Sequence, residues 1–242
     1  MDSINKKVHN LFEEYRDVFN GSPVSFDGIV DEETYLSSKI RTAFLLKDIN
    51  GEETVIVDGK KTTRQMTSDW EYMDWLYNQA TDLSKPLYKT WPNACLWIEA
   101  LFNPNVTYQD CMDQYGYFDS AKLRGNLRKI SVINIKKTPG AGSSVYSQIE
   151  AFATDERNKE LLHKEISLVA PQLVICGGTF HFAKMIFDVI PDEINCLPSG
   201  TEYFIKDGIA YLDFVHPMWF NVDRKILFAY AKDVFHDIKV LL

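Results

Sequence analysis

Four short runs of consecutive apolar residues punctuate the chain, within 39–47, 130–135, 173–176 and 209–215. A run without polar alternation reads as a strand covered on both faces, because neither face is left for water. After the second run the spacing changes to that of amphipathic helices, over 156–169, 180–189 and 222–241. A further helix is predicted over 3–18, where Val8, Leu11, Phe12, Tyr15 and Val18 recur at helical spacing until Gly21-Ser22-Pro23 stops it. Strands alternating with helices predict a mainly parallel, four-stranded central sheet between two helical layers, a three-layer α/β/α architecture. Residues 51–115 are too many for one crossover and read as an insertion. It holds a hairpin, with strands at 53–57 and 60–65 turning at Asp58-Gly59, then aromatic-rich helices from Trp70 onward. No repeat or linker divides the chain, so residues 1–242 read as one domain.

Composition changes this picture little. At 45% hydrophobic and 25% charged residues the chain is ordinary for a globular protein. No apolar run approaches the roughly 18 residues of a membrane span, and the first residues lack a signal peptide's apolar stretch. A cytoplasmic protein without a membrane partner is expected. Cys95, Cys111, Cys176 and Cys196 form no CxxC pair, so neither a metal site nor an iron–sulfur cluster is expected. Charge is more informative. A net charge of −8 argues against nucleic acid as a partner. Yet residues 120–149 carry six basic side chains (Lys122, Arg124, Arg128, Lys129, Lys136, Lys137) and no acidic one, which is either a locally positive face or a solvated charge run.

In open parallel sheets ligands bind at the carboxyl ends of the strands. The residues there are Asp48 and Asn50 after the first run, Asn134 with Lys136-Lys137 at the second, Gly177-Gly178 after the third, and His216-Pro217 after the fourth. A carboxylate, an amide, a glycine turn and a histidine form a reaction-centre inventory. Plainer readings exist for each. Asp48-Ile49-Asn50-Gly51 also fits a hairpin turn pairing Phe44–Leu46 with Val55–Val57, Gly177-Gly178 fits close helix–strand packing, and His216 fits a structural histidine.

The order of these pieces, Ile133-Asn134-Ile135-Lys136-Lys137-Thr138-Pro139, then Pro171-Gln172-Leu173-Val174-Ile175-Cys176-Gly177-Gly178, then Val215-His216-Pro217, resembles the uracil-DNA glycosylase superfamily, its bacterial branches most. The likeness covers roughly 39–50 and 131–223. It implies the α/β/α fold of that family without an iron–sulfur cluster, since the cluster's cysteines are missing. It implies that Asp48 activates water, Asn134 reads the base, and His216 contacts a base oxygen. It also implies that the loop after His216-Pro217, with Met218, Trp219 and Phe220, fills the gap left by a flipped base. The family's first motif is usually Gly-x-acid/Asn-Pro, and Leu46-Lys47-Asp48-Ile49-Asn50 has neither the Gly nor the Pro. Asn50 therefore stays open beside Asp48 as the functional polar group.

Breaking an N-glycosidic bond in DNA passes through an oxocarbenium-like sugar and a departing anionic base. Neither a metal nor a redox cofactor is required, and a carboxylate and an imidazole answer the two charges. The base must first leave the stack, which needs a phosphate grip, aromatic walls and a plug. Lys136, Lys137, Gly177 and Gly178 are the candidates for DNA contacts, Trp70 and Trp75 for the walls, and Trp219 and Phe220 for the plug. The expected activity is that of a monofunctional DNA glycosylase, a monomer acting on double- or single-stranded DNA. In the uracil-specific branch a bulky tyrosine two residues after the catalytic carboxylate excludes C5 substituents, and Asn50 stands at that position. With Thr62, Thr63, Gln65 and Asn78 it supplies hydrogen-bonding groups for a polar C5 substituent, although a surface hairpin without a ligand fits them too. The resemblance, which extends to glycosylases of phage defence, implies a modified pyrimidine, including glucosylated hydroxymethylcytosine. Uracil excision in base-excision repair, a catalytically inactive DNA-binding relative and a flavodoxin-like small-molecule enzyme are the alternatives.

Overall fold

A computed structural model describes residues 3–57, 59–140, 143–219 and 221–242. In chain order it runs α1 (Ile4–Val18), β1 (Ser25–Phe26), β2 (Gly28–Ile29), α2 (Glu32–Leu36), β3 (Thr42–Leu46), β4 (Glu52–Val57), β5 (Lys60–Gln65), β6 (Trp70–Glu71), α3 (Tyr72–Thr81), α4 (Trp91–Phe102), α5 (Ser120–Leu123), β7 (Ile130–Asn134), α6 (Tyr146–Thr154), α7 (Glu156–Val169), β8 (Leu173–Gly177), α8 (Phe180–Ile186), β9 (Asn195–Cys196), β10 (Glu202–Lys206), β11 (Ile209–Phe214) and α9 (Arg224–Ile238).

The four apolar runs become β7, β3, β8 and β11, which lie side by side in that order and are parallel. The expected four-stranded sheet is nevertheless too small: among the described residues it has seven strands, ordered β2-β7-β3-β8-β11-β10-β9. The additions are antiparallel edges, β2 on β7 and the pair β10 and β9 beyond β11. β2 and β9 have two residues each, too few to show a period, and β10 buries only Phe204. β3 is fully paired by β7 and β8, so the hairpin of β3 with 55–57 does not form, and β4 pairs with β5 instead.

Side chains alternate between two apolar layers. Phe44, Leu46, Val132, Ile175 and Leu212 pack under α3, α4 and α9, whereas Ala43, Leu45, Ile133, Val174, Cys176 and Tyr211 pack under α1, α6, α7 and α8. Burial on both faces is what the unbroken apolar runs require, at about 1.5–3 kcal/mol for each large side chain withdrawn from water. The segment 51–115 is more than a surface addition. Ten of the twelve residues of α4 are buried, and Trp97 lies between Phe44 and Phe214 at 6.3 and 4.8 Å between ring centres. No helix among the described residues is long and apolar enough to cross a membrane.

Candidate active site

Strand register brings the expected chemistry to one edge. Leu46 lies opposite Asn134, Leu45 opposite Cys176, and Phe214 opposite Gly177, so the chain segments leaving all four parallel strands open together. Between them lies a cavity of about 300 Å³. Asp48, Asn50, Asn134, His216, Trp70 and Trp75 all line it, joined by Tyr72, Tyr88, Lys89, Thr90, Trp91, Ser144 and Met218. A larger open groove of about 880 Å³ runs along α1 and α7 on the opposite layer. Its charges answer one another, Lys164 with Glu14 and Glu160, Lys159 with Glu156 and Asp188, which leaves no convergent chemistry there.

The Asp48 side chain is only 5% exposed and Asn50 is exposed, so the carboxylate is the deeper of the two groups. Asp48 Oδ1 accepts a hydrogen bond from Ser144 Oγ, and Oδ2 lies 3.8 Å from Lys136 Nζ. Gly140 closes against it so tightly that a Cβ there would meet Asp48 Oδ2 at 2.0 Å. Asn50 Oδ1 accepts from the Glu52 backbone N–H at 3.0 Å, an Asx turn that roots the hairpin at the cavity rim.

His216 is held by its own loop. Its Nδ1 accepts from the Met218 backbone N–H at 3.0 Å, and since that N–H can only donate, the neutral ring carries its proton on Nε2. Burial, with repulsion from Lys47, lowers its pKa from 6.5 to about 4. The imidazole is thus neutral at physiological pH and has a donor for a ligand in the cavity it lines. Behind it, Asn93 on α4 donates Nδ2–H to the Pro217 carbonyl at 2.8 Å and accepts from Arg224 Nε at 3.0 Å, which pins the His-Pro loop to two helices.

Asn134 is 1% exposed, and both its backbone N–H and its Nδ2 donate to Asp27 Oδ2, at 2.6 and 2.9 Å. Asp27 Oδ1 accepts from Lys137 Nζ at 2.8 Å, and Lys137 is also paired with Glu165 at 2.7 Å. All three ionisable side chains are fully buried. Sequence reasoning missed Asp27 and Glu165. Neither belongs to the strand-end segments, and only the fold brings them together, 138 residues apart in sequence.

Three of the six side chains of the basic stretch are buried and offer no grip on phosphate. Lys137 lies in the core at 5.3 and 5.4 Å from the Phe12 and Tyr15 ring centres, so the DNA contact expected of it is sterically excluded. Lys136 points inward and donates to the Thr138 and Pro139 carbonyls at 2.9 and 3.1 Å, and burial lowers its pKa against the pull of Asp48. Arg124 is buried on the Asp82 and Lys85 carbonyls, Arg128 pairs with Asp31, Lys129 donates to Asn126, and Lys122 to the Asp110 carbonyl. A sequence window reports charge but not direction: Arg124, Lys136 and Lys137 turn inward, whereas Lys122 is exposed and Arg128 and Lys129 are half-buried. Gly177 is also no DNA contact: it is buried, and a Cβ there would strike Leu46 at 2.7 Å and Pro217 at 3.2 Å. Gly178 is exposed at φ +67°, a left-handed turn, and its N–H donates to the Phe214 carbonyl at 2.7 Å. Both serve the close packing of β8 beneath the His-Pro loop. Trp219 is 37% exposed outside the cavity. Phe220 and the side chains of Thr63 and Gln65 lie outside the described residues.

Trp70, Tyr72, Trp75 and Tyr88 form one continuous aromatic wall. The Trp70–Trp75, Tyr72–Trp75 and Trp75–Tyr88 ring centres are each 5.6 Å apart. Among the described residues no three His, Cys, Asp or Glu side chains are gathered to hold a metal. No protein-family model matches the chain, and no curated protein matches it.

Proposed function

We propose that the protein is a monofunctional DNA glycosylase that flips a modified pyrimidine out of the helix and hydrolyses its N-glycosidic bond, leaving an abasic site. The observation that carries this reading is the meeting of a buried carboxylate, a neutral imidazole and a fixed amide in one aromatic-walled cavity. Asp48 supplies negative charge beside the oxocarbenium-like sugar and an acceptor for the attacking water. His216 offers Nε2–H to the oxygen of the departing base, and Asn134 meets its pairing edge. Trp70 and Trp75 offer faces for a base removed from the stack. The residue order shared with the uracil-DNA glycosylase superfamily supports the same roles.

A volume of about 300 Å³ falls at the lower end of pockets that enclose drug-sized ligands, which is generous for a bare pyrimidine. Asn50, Lys89 and Thr90 add hydrogen-bonding groups around it. The substrate we favour is therefore a pyrimidine carrying a polar C5 group, with glucosylated hydroxymethylcytosine of phage DNA, and hence antiviral defence, as the leading member. The test is a panel: uracil duplex, thymine mismatch, and DNA from a phage with modified cytosine, each incubated with protein and then cleaved with alkali. Strand breaks in the phage DNA support the proposal. Uracil release without breaks in phage DNA refutes the substrate class.

One observation favours a different class, a small-molecule enzyme: burial of Arg124, Lys136 and Lys137 leaves an acidic protein with few accessible cations near the site. Among the described residues the accessible ones include Lys89 on the cavity wall and Lys60 and Lys61, exposed on the hairpin rooted at its rim; Lys47 acts on His216 by repulsion, and Lys136 is buried beside Asp48. If DNA is the ligand, Lys89→Ala weakens binding to all sequences alike and reduces the slope of log affinity against log salt by about one; the double change at Lys60 and Lys61 reduces it by about two. Salt titration of duplex binding checks this, and unchanged slopes favour the small-molecule class. The loop after the His-Pro pair gives a second check. Trp219→Ala is expected to slow excision from duplex about tenfold more than from single strands, where unstacking costs less. Equal losses exclude a wedge role.

A further inference from the structure

We infer that Asp27 is a specificity-determining positioning residue: its carboxylate fixes the Asn134 amide with nitrogen inward and leaves Oδ1 as the acceptor that meets the ligand. This rests on the glycosylase reading for its substrate, while the geometry stands apart from it. An amide side chain alone is ambiguous, since a half-turn exchanges donor for acceptor. Here the half-turn is blocked. Asp27 Oδ2 already accepts the Asn134 backbone N–H at 2.6 Å, so it faces the amide as an acceptor and only Nδ2 fits against it, at 2.9 Å. Oδ1 has no hydrogen-bond partner among the described residues, and Asn134 lines the cavity.

The carboxylate is itself held. Lys137 Nζ donates to Asp27 Oδ1 at 2.8 Å and lies 2.7 Å from Glu165 Oε2, which also accepts from Tyr15 OH at 3.1 Å. Burial, with the Asp27 charge added, raises the Glu165 pKa far above the ordinary range against the pull of Lys137. Lys137, in a position where the sequence suggested a phosphate contact, has become the counter-charge of a base-reading device.

A locked amide recognises one hydrogen-bonding pattern, and a free one recognises both. With position 4 of the base set against Oδ1, the 4-amino group of a cytosine-type base donates to it, whereas a uracil-type base brings its 4-oxo acceptor there and has to shift to offer its N3–H instead. The wild-type protein is therefore expected to release 5-hydroxymethylcytosine at least about 100-fold faster than 5-hydroxymethyluracil in single-turnover assays on matched duplexes. In Asp27→Ala, which leaves no acceptor oxygen against the Asn134 backbone N–H and Nδ2, the lock is lost and the ratio falls to within about tenfold of unity. Lys137 keeps Glu165 as its partner at 2.7 Å in this variant, so its ammonium is not left unpaired. Glu165→Gln is the control: it sits in the same network without touching Asn134, and its ratio stays at the wild-type value even if its stability changes.

A folded Asp27→Ala protein that keeps the wild-type ratio overturns the inference, as does Glu165→Gln losing it. If wild type releases neither base, the glycosylase reading fails on these substrates, and hydrogen exchange decides the geometry alone. In isotope-labelled protein, with the Asn134 side-chain amide assigned through Asn134→Ala, one amide proton is expected to be protected in wild type and unprotected in Asp27→Ala. No protection in wild type, or equal protection in both, overturns the inference.

Discussion

Asp48→Asn is expected to lower single-turnover base release by a factor on the order of 10² to 10⁴ while leaving duplex affinity within about twofold. The replacement keeps shape and removes charge, and the charge matters most when the sugar becomes positive. Its surroundings argue that the fold survives. Lys136, the cation 3.8 Å from Asp48, remains held by the Thr138 and Pro139 carbonyls, and Asn retains an acceptor for Ser144. Rapid-quench rates beside binding isotherms separate the two effects. A near-wild-type rate removes Asp48 from the chemistry.

His216→Ala is expected to cost a factor on the order of 10² to 10³ in the chemical step, the usual loss for one donor to a developing anion. The pH dependence distinguishes this neutral donor from an imidazolium. With its pKa near 4, His216 does not titrate between pH 5 and 8, so the wild-type rate shows no fall attributable to this group across that range. A decline with midpoint near pH 6.5 would mean that the charged form acts. Stability follows the same shift with a definite sign. The unfolded histidine takes up a proton near pH 6.5 and the folded one does so only near pH 4, so this site's contribution to stability falls as pH drops between those values and is constant above them. Thermal melts of wild type and His216→Ala over that range isolate it.

The parallel centre of the sheet was legible because β3, β7, β8 and β11 are buried on both faces and so write their burial directly into consecutive residues. Edge strands leave no such record: β2 pairs through two residues and β9 through two. The same contrast runs through the site. Asp48, Asn134 and His216 follow strand ends, where topology alone brings residues together, and they line one cavity with Asn50, Trp70 and Trp75. Lys136 and Lys137 sit at the same strand end, yet one folds back onto its own loop and the other enters the core, because Asp27 and Glu165 wait there. Adjacency in sequence carries no information about which way a side chain leaves the backbone after a strand ends. Asp27 itself lies in the short loop between β1 and β2, and its role emerges only when β2 pairs with β7 and sets it against Asn134.

The most direct test of the account is the product of one reaction: DNA carrying glucosylated hydroxymethylcytosine, incubated with wild-type protein and with Asp48→Asn, then analysed for released base by mass spectrometry and for abasic sites by alkaline cleavage. Free modified base and abasic sites in equal amounts are expected with wild type, and neither with Asp48→Asn. Intact DNA with both proteins, or equal release by both, would contradict it.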